Sequence, residues 1–298
     1  MKPETRDVMR KVEGVIPPFY VMDALFPVLV GGRARASFPS AGIGIKLEPI
    51  GDFDQACQFL EGSREYQQLE GLQEWGARRG YAIEPHVGSG GLHGSVYLFT
   101  GKGEGLAQLR DLYRQAHREI REGEASQAYL QGVELDGELL GMPACCTQRV
   151  SEDVRKTMDQ LAENGSVGNG AEAPGVKYPG DRAKDQLDAL AGVGEDPAGV
   201  KGLPMGTLFS YYTMCFLPCR PGCAPAGERG RRIHQKLWDF DPFLAELYAG
   251  IVLQANAIGA LMEPEEAYLW ADSLLRWKLE SEAARQRRPK PAGRRKTV

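Results

Sequence analysis

Histidine and cysteine, on which most metal and nucleophilic chemistry depends, are scarce here: four and six among 298 residues. So few cysteines cannot make a disulfide scaffold. No uninterrupted run of about 20 apolar residues occurs. The most apolar stretches, residues 15–30 and 243–262, are broken by Asp23, Glu246, Gln254 and Asn256, so both read as core and no membrane partner is expected. The first 14 residues carry four basic and three acidic side chains around no apolar centre. No secretory signal is therefore expected, and the reducing cytoplasm is the expected compartment. Neither Gly-x-Ser-x-Gly nor His-Glu-x-x-His occurs. TGKGEG at 100–105 lacks the residue order of a P-loop, and the glycines of GSGGLHG at 88–94 are followed by a strand pattern instead of a helix. What is present is 42% apolar and 26% charged residues with a net charge of −4, the proportions of a soluble protein with a real core.

The hydrophobic periodicity predicts an α+β protein, with a small N-terminal α/β unit over 1–124 followed by a mostly helical region over 125–284. Within the first unit, PVLVGG (27–32) and GIGIKLEPI (42–50) read as strands, as do 81–87 and 94–100. Helical spacing marks 52–60, 64–79 and 106–122. Further helices are predicted up to Leu140, from Cys145 to about Ala162, from about Cys223, and from Asp241-Pro242 to Met262, where an N-cap residue precedes proline at the first turn. Residues 164–206 hold ten glycines and four prolines and read as a long loop, either a lid or a disordered link. The tail 285–298 has seven basic residues and no acidic one, the composition of a solvated, disordered segment that would attract nucleic acid or anionic surfaces without sequence preference.

Five of the six cysteines fall in two short segments, LLGMPACC (139–146) and CFLPCRPGC (215–223). Pro143, Pro218 and Pro221-Gly222 punctuate them, and helix-compatible sequence follows, so both groups are expected at helix starts. Unpaired backbone N–H groups and the positive end of the helix dipole there favour thiolate over thiol. Arg220, Arg229, Arg231 and Arg232 are candidates to deepen that effect. If the long loop lets the two starts meet, Cys145, Cys146, Cys219 and Cys223 supply the sulfur ligands of a zinc ion or an iron–sulfur cluster. Adjacent cysteines reach one ion only awkwardly, which leaves a resolving-thiol role open for one of the pair. Cys57 and Cys215, in apolar surroundings, read as structural. Glu134, Asp136 and Glu138 read as a solvated face.

Leu140-Gly141-Met142-Pro143-Ala144-Cys145-Cys146, with Pro218-Cys219-x-x-x-Cys223 and the later Asp241-Pro242, resembles the uncharacterised family known as domain of unknown function 483. That resemblance implies that the two cysteine motifs belong together, and implies no activity. Met142 and Phe216 stand where tyrosine and histidine are usual. Three functions follow from the residues: a metal or iron–sulfur protein, which as an enzyme would act on a small molecule; a thiol redox enzyme with a reactive cysteine pair; and a non-catalytic module that binds nucleic acid or a partner through the basic tail.

Overall fold

The computed structural model describes residues 1–16, 21–32, 34–39, 52–87, 95–100, 105–121, 126–163, 209, 218–220, 222–259, 273–281 and 284. These residues are mostly helical, which overturns the α+β expectation. Strands are confined to three short segments, β1 (Arg35–Pro39), β2 (Ala82–Val87) and β3 (Ser95–Thr100), paired antiparallel in the order β1-β3-β2. The expected strand at PVLVGG is also corrected. A π-helical turn (Val21–Leu25) runs into a short helix over Phe26–Leu29, burying Phe26, Pro27 and Val28. Short apolar runs carry no periodicity that separates a buried strand from a buried helix, and here tertiary burial decided. The predicted strand at 42–50 and loop at 164–206 lie outside the described residues, as do Cys215 and the tail.

The helices are α1 (Pro3–Lys11), α2 (Phe26–Leu29), α3 (Phe53–Glu61), α4 (Arg64–Gln68), α5 (Glu70–Ala77), α6 (Leu106–Arg121), α7 (Gln127–Leu139), α8 (Ala144–Glu163), α9 (Ala224–Phe240) and α10 (Pro242–Gly259), with a further helical stretch over 273–281. Local chemistry sets several starts. Asp52, Ser63 and Ser126 each accept a hydrogen bond from the backbone N–H three residues on, satisfying a donor that the helix leaves open.

Two apolar cores result. One gathers Val8 of α1 and Val12 at its C-cap, Phe26 of α2, Leu72 and Trp75 of α5, Ile233 and Leu237 of α9, and Leu244 and Tyr248 of α10. The other joins Phe53, Cys57 and Leu60 of α3 to Leu106, Leu109 and Tyr113 of α6, with Leu135 and Leu139 of α7 against them. Cys57 thus has the structural role its surroundings suggested. Between the two cores the C-terminal end of α7 is a meeting point. Arg35, buried, forms an ion pair with Asp136 there, and the Ala34 N–H donates to the Leu139 carbonyl at 3.1 Å. Asp136 is therefore an ion-pair partner and not part of a solvated face; Glu134 and Glu138 are exposed as read.

Asp241 closes the first core. One carboxylate oxygen accepts from the Phe243 N–H at 3.2 Å, capping α10, and the other accepts from the Lys2 N–H at 2.6 Å and the Thr5 hydroxyl at 2.8 Å. Burial resists the charge, but these donors and the nearby N-terminal ammonium hold the Asp241 carboxyl below the usual carboxylate range. Its stabilisation is therefore complete above the ordinary Asp value and lost as pH falls through the lower folded one. Asp241→Ala is expected to cost about 1.5–3 kcal/mol in urea unfolding at neutral pH, the worth of hydrogen bonds to a charged group. The gap from the parent should narrow in acid; a gap that widens there would contradict the assignment.

Candidate metal centre

Each cysteine segment reaches the site through a defined turn. Helix α7 ends in a Schellman motif: Gly141, at φ +67°, donates to the Glu138 carbonyl at 2.8 Å, and Met142 donates to the Gly137 carbonyl at 2.7 Å. Pro143 follows and stops the helix from continuing. Its carbonyl accepts from the Cys146 and Thr147 N–H groups at 2.8 and 3.0 Å, which opens α8 with Cys145 and Cys146 in the first turn. On the other side the Cys223 N–H donates to the Arg220 carbonyl at 3.2 Å, closing a turn in which Gly222 has φ +67°. The sequence Arg-Pro-Gly-Cys supplies the residues that a type II turn selects. Cys223 is then the N-cap of α9.

These turns bring Cys145, Cys146, Cys219 and Cys223 together, their sulfurs all within 4.8 Å of one another and close enough to hold a metal ion. Cys145 Sγ is 4.0 Å from Cys146 Sγ and 3.7 Å from Cys223 Sγ, and Cys146 Sγ is 3.8 Å from Cys223 Sγ. Adjacency in sequence did not keep either member of the pair away: the first helical turn aims both sulfurs at the same point. His234, on the third turn of α9, stands instead among Phe209 and Trp238, with ring centroids 5.6 and 6.2 Å away.

The second sphere was not legible beforehand. Arg229, buried, donates to the carbonyl of Leu140, so α9 grips the turn that feeds the cysteine pair. Arg220, Arg231 and Arg232 are exposed. Gly137 lets α8 approach α7 closely, since a Cβ there would lie 2.8 Å from the Thr147 hydroxyl. The signal for the turn was the order Gly141 then Pro143 after a helix, which is the signature of this C-cap.

The thiols do not share one acidity. Burial pushes the Cys146 thiol up despite a hydrogen bond from the Cys219 N–H at 3.4 Å. Burial and the neighbouring thiols push Cys219 up to about 11. At Cys223 burial also resists ionisation, but the Ala226 N–H and the thiols of Cys219, Cys145 and Cys146 donate to its sulfur, and its value falls below the ordinary one. The expectation that both helix starts depress their thiols thus holds for Cys223 and fails for Cys146.

Away from this centre, a groove between α3 and α6 holds Arg114, already bound by Asp54 at 2.9 Å and by Asp111 at 2.5 Å, so its charges are satisfied internally. No helix among the described residues is long and apolar enough to cross a membrane. Comparison of the chain with family models, with curated proteins and with solved structures finds no match.

Gly141→Ala should destabilise the protein by about 1–2 kcal/mol, the usual penalty for a side chain in left-handed backbone. The new Cβ would also sit 3.2 Å from the Arg229 guanidinium. Denaturant midpoints measure this, and an unchanged midpoint would show that the turn is not held as described.

Proposed function

We propose that the four cysteines form a closed zinc site whose task is architectural, clipping the start of α8 to the start of α9. The observation that carries this is the sulfur spacing. Four thiolates each about 2.3 Å from one zinc stand about 3.8 Å apart in a tetrahedron. The separations of 3.7, 3.8 and 4.0 Å among Cys145, Cys146 and Cys223 match that figure, and Cys219 Sγ lies within 4.8 Å of all three. An iron–sulfur cluster fits less well, because two or more irons then lie between the cysteines and spread their sulfurs beyond contact. Four protein ligands also fill the tetrahedron, whereas a catalytic zinc keeps one position open for water or substrate. The two motifs that carry the family resemblance are the ones that supply the ligands.

An architectural role also suits the energetics of the junction. Among the described residues the apolar cluster at this junction comprises Cys146, Cys223 and Ala226, with Met142 and Cys219 against them. Structural zinc binds zinc-finger peptides with roughly 10–16 kcal/mol of apparent free energy. That is comparable with the whole stability of a domain, about 5–15 kcal/mol. A metal clip is thus sufficient to hold the two helix starts together. A soft, all-sulfur, tetrahedral donor set suits zinc or iron–sulfur chemistry, and the close sulfur spacing favours a single ion over a cluster.

Metal analysis of the purified full chain should give one zinc per molecule. Cobalt in its place should show the intense visible absorption of a tetrahedral tetrathiolate. Serine at any of positions 146, 219 or 223 should abolish stoichiometric zinc and lower the melting temperature, as should a strong chelator. A metal-free protein of unchanged melting temperature, or the broad brown absorption of an iron–sulfur cluster, would overturn the proposal.

A further inference from the structure

We infer that Cys145 is a modification site, the one thiolate of the centre through which a peroxide enters, with Cys223 as the thiol that resolves it and zinc as the ion released. This rests on the zinc reading above. Exposure sets Cys145 apart from the other three ligands, and the absence of a backbone donor among the described residues sets it apart from Cys146 and Cys223. It is exposed, while Cys146 and Cys223 are 0% and 2% exposed and Cys219 is half-buried. Backbone N–H groups donate to the sulfurs of Cys146 and Cys223, from Cys219 and Ala226 respectively, which draws electron density from them. Among the described residues, the hydrogen-bond partners of Cys145 Sγ are other sulfurs. The most exposed of the four cysteines thus carries a sulfur without a backbone donor among the described residues, and once zinc holds all four as thiolates, access decides which is oxidised first.

The resolving partner follows from geometry. Adjacent residues have Cα atoms about 3.8 Å apart, short of the roughly 4.4–6.8 Å that disulfides span. A bond from Cys145 to Cys146 is therefore disfavoured inside the first turn of α8. Cys223, on α9, has its sulfur 3.7 Å from that of Cys145. In the first step the Cys145 thiolate attacks one oxygen of hydrogen peroxide. The O–O bond breaks, a sulfenic acid forms on Cys145, and hydroxide leaves and takes a proton from water-borne acid. The Cys223 thiolate then attacks that sulfur; the S–S bond forms, the S–OH bond breaks, and a second hydroxide leaves and is protonated. Two thiolates have given two electrons, and the peroxide has become two waters. Zinc, left with Cys146 and Cys219, dissociates. The new disulfide joins the same two helix starts that the ion joined, so the junction survives while the metal is lost.

The test uses the zinc-loaded full chain, with zinc measured first. Hydrogen peroxide is added in steps, zinc release is followed with a chromogenic chelator, and samples quenched with iodoacetamide are mapped by non-reducing peptide mass spectrometry. The expected result is a Cys145–Cys223 disulfide that rises one-for-one with released zinc and is reversed by dithiothreitol. Zinc that stays bound while Cys145 remains reduced overturns the inference, and so does release accompanied by a bond that omits Cys145. A chain that contains no zinc at the outset overturns the zinc reading itself, which keeps the two failures apart.

Discussion

Four thiol sulfurs held within contact of one another, drawn from segments more than 70 residues apart, are the constraint around which the rest of this protein is arranged. Sulfurs at 3.7–4.0 Å with two of their residues buried make a very small apolar cluster, yet they stand between two much larger ones. The first core holds α9 through Ile233 and Leu237, and the second holds α7 through Leu135 and Leu139. Polar contacts converge on the same seam: Arg35 on Asp136, Ala34 on the Leu139 carbonyl, and Arg229 on the Leu140 carbonyl. The seam is thus fastened by directional bonds more than by burial. An ion shared by four thiolates is the strongest bond of that kind available to the side chains present.

Much of the centre was legible because its parts are local. Gly141 and Pro143 end one helix and start another, and Pro-Gly ahead of Cys223 turns the chain into α9; each feature is decided within a few residues. Asp241-Pro242 marked the start of α10 for the same reason. The meeting of the two segments was only an expectation, since no spacing rule spans the 72 residues between Cys146 and Cys219. Arg229 and Asp136 were read wrongly or left unassigned because an arginine's partner is chosen by packing, and nothing in a helix pattern names a carbonyl on another helix. The fold class failed for a related reason. Strand patterns near 81–100 were real, but they belong to a small antiparallel sheet, and helices carry most of the described chain. At PVLVGG, an apolar run without period took the helical form that its burial allowed.

The acidities add a second layer to the geometry. In the metal-free cluster, protons are shared unevenly: Cys146 and Cys219 hold theirs, while Cys223 gives up its own more readily because every neighbour donates to it. On the zinc reading proposed above, an arriving ion would meet its most readily ionised thiol at Cys223 and displace protons as it binds. The N–H groups of Cys219 and Ala226 serve both states, since a sulfur that accepts from a backbone amide is stabilised as thiolate whether or not a metal is shared.

Charge explains why both elements present their N-termini. Each helix start carries roughly half a positive charge from its aligned peptide dipoles. With Cys145 and Cys146 in the first turn of α8 and Cys223 capping α9, two such ends face one another across the sulfurs. Left alone, that arrangement is repulsive. Ionisation of Cys223 would relieve part of it, and on the zinc reading four thiolates around a divalent cation, with a net charge of two minus, would balance it more fully. On that reading the two helices do more than deliver ligands: their dipoles favour an anionic centre, and the centre in turn makes their approach favourable. Such mutual dependence predicts that the junction and the metal are gained or lost together unless another bond, of the kind Cys145 and Cys223 are placed to form, takes the ion's place.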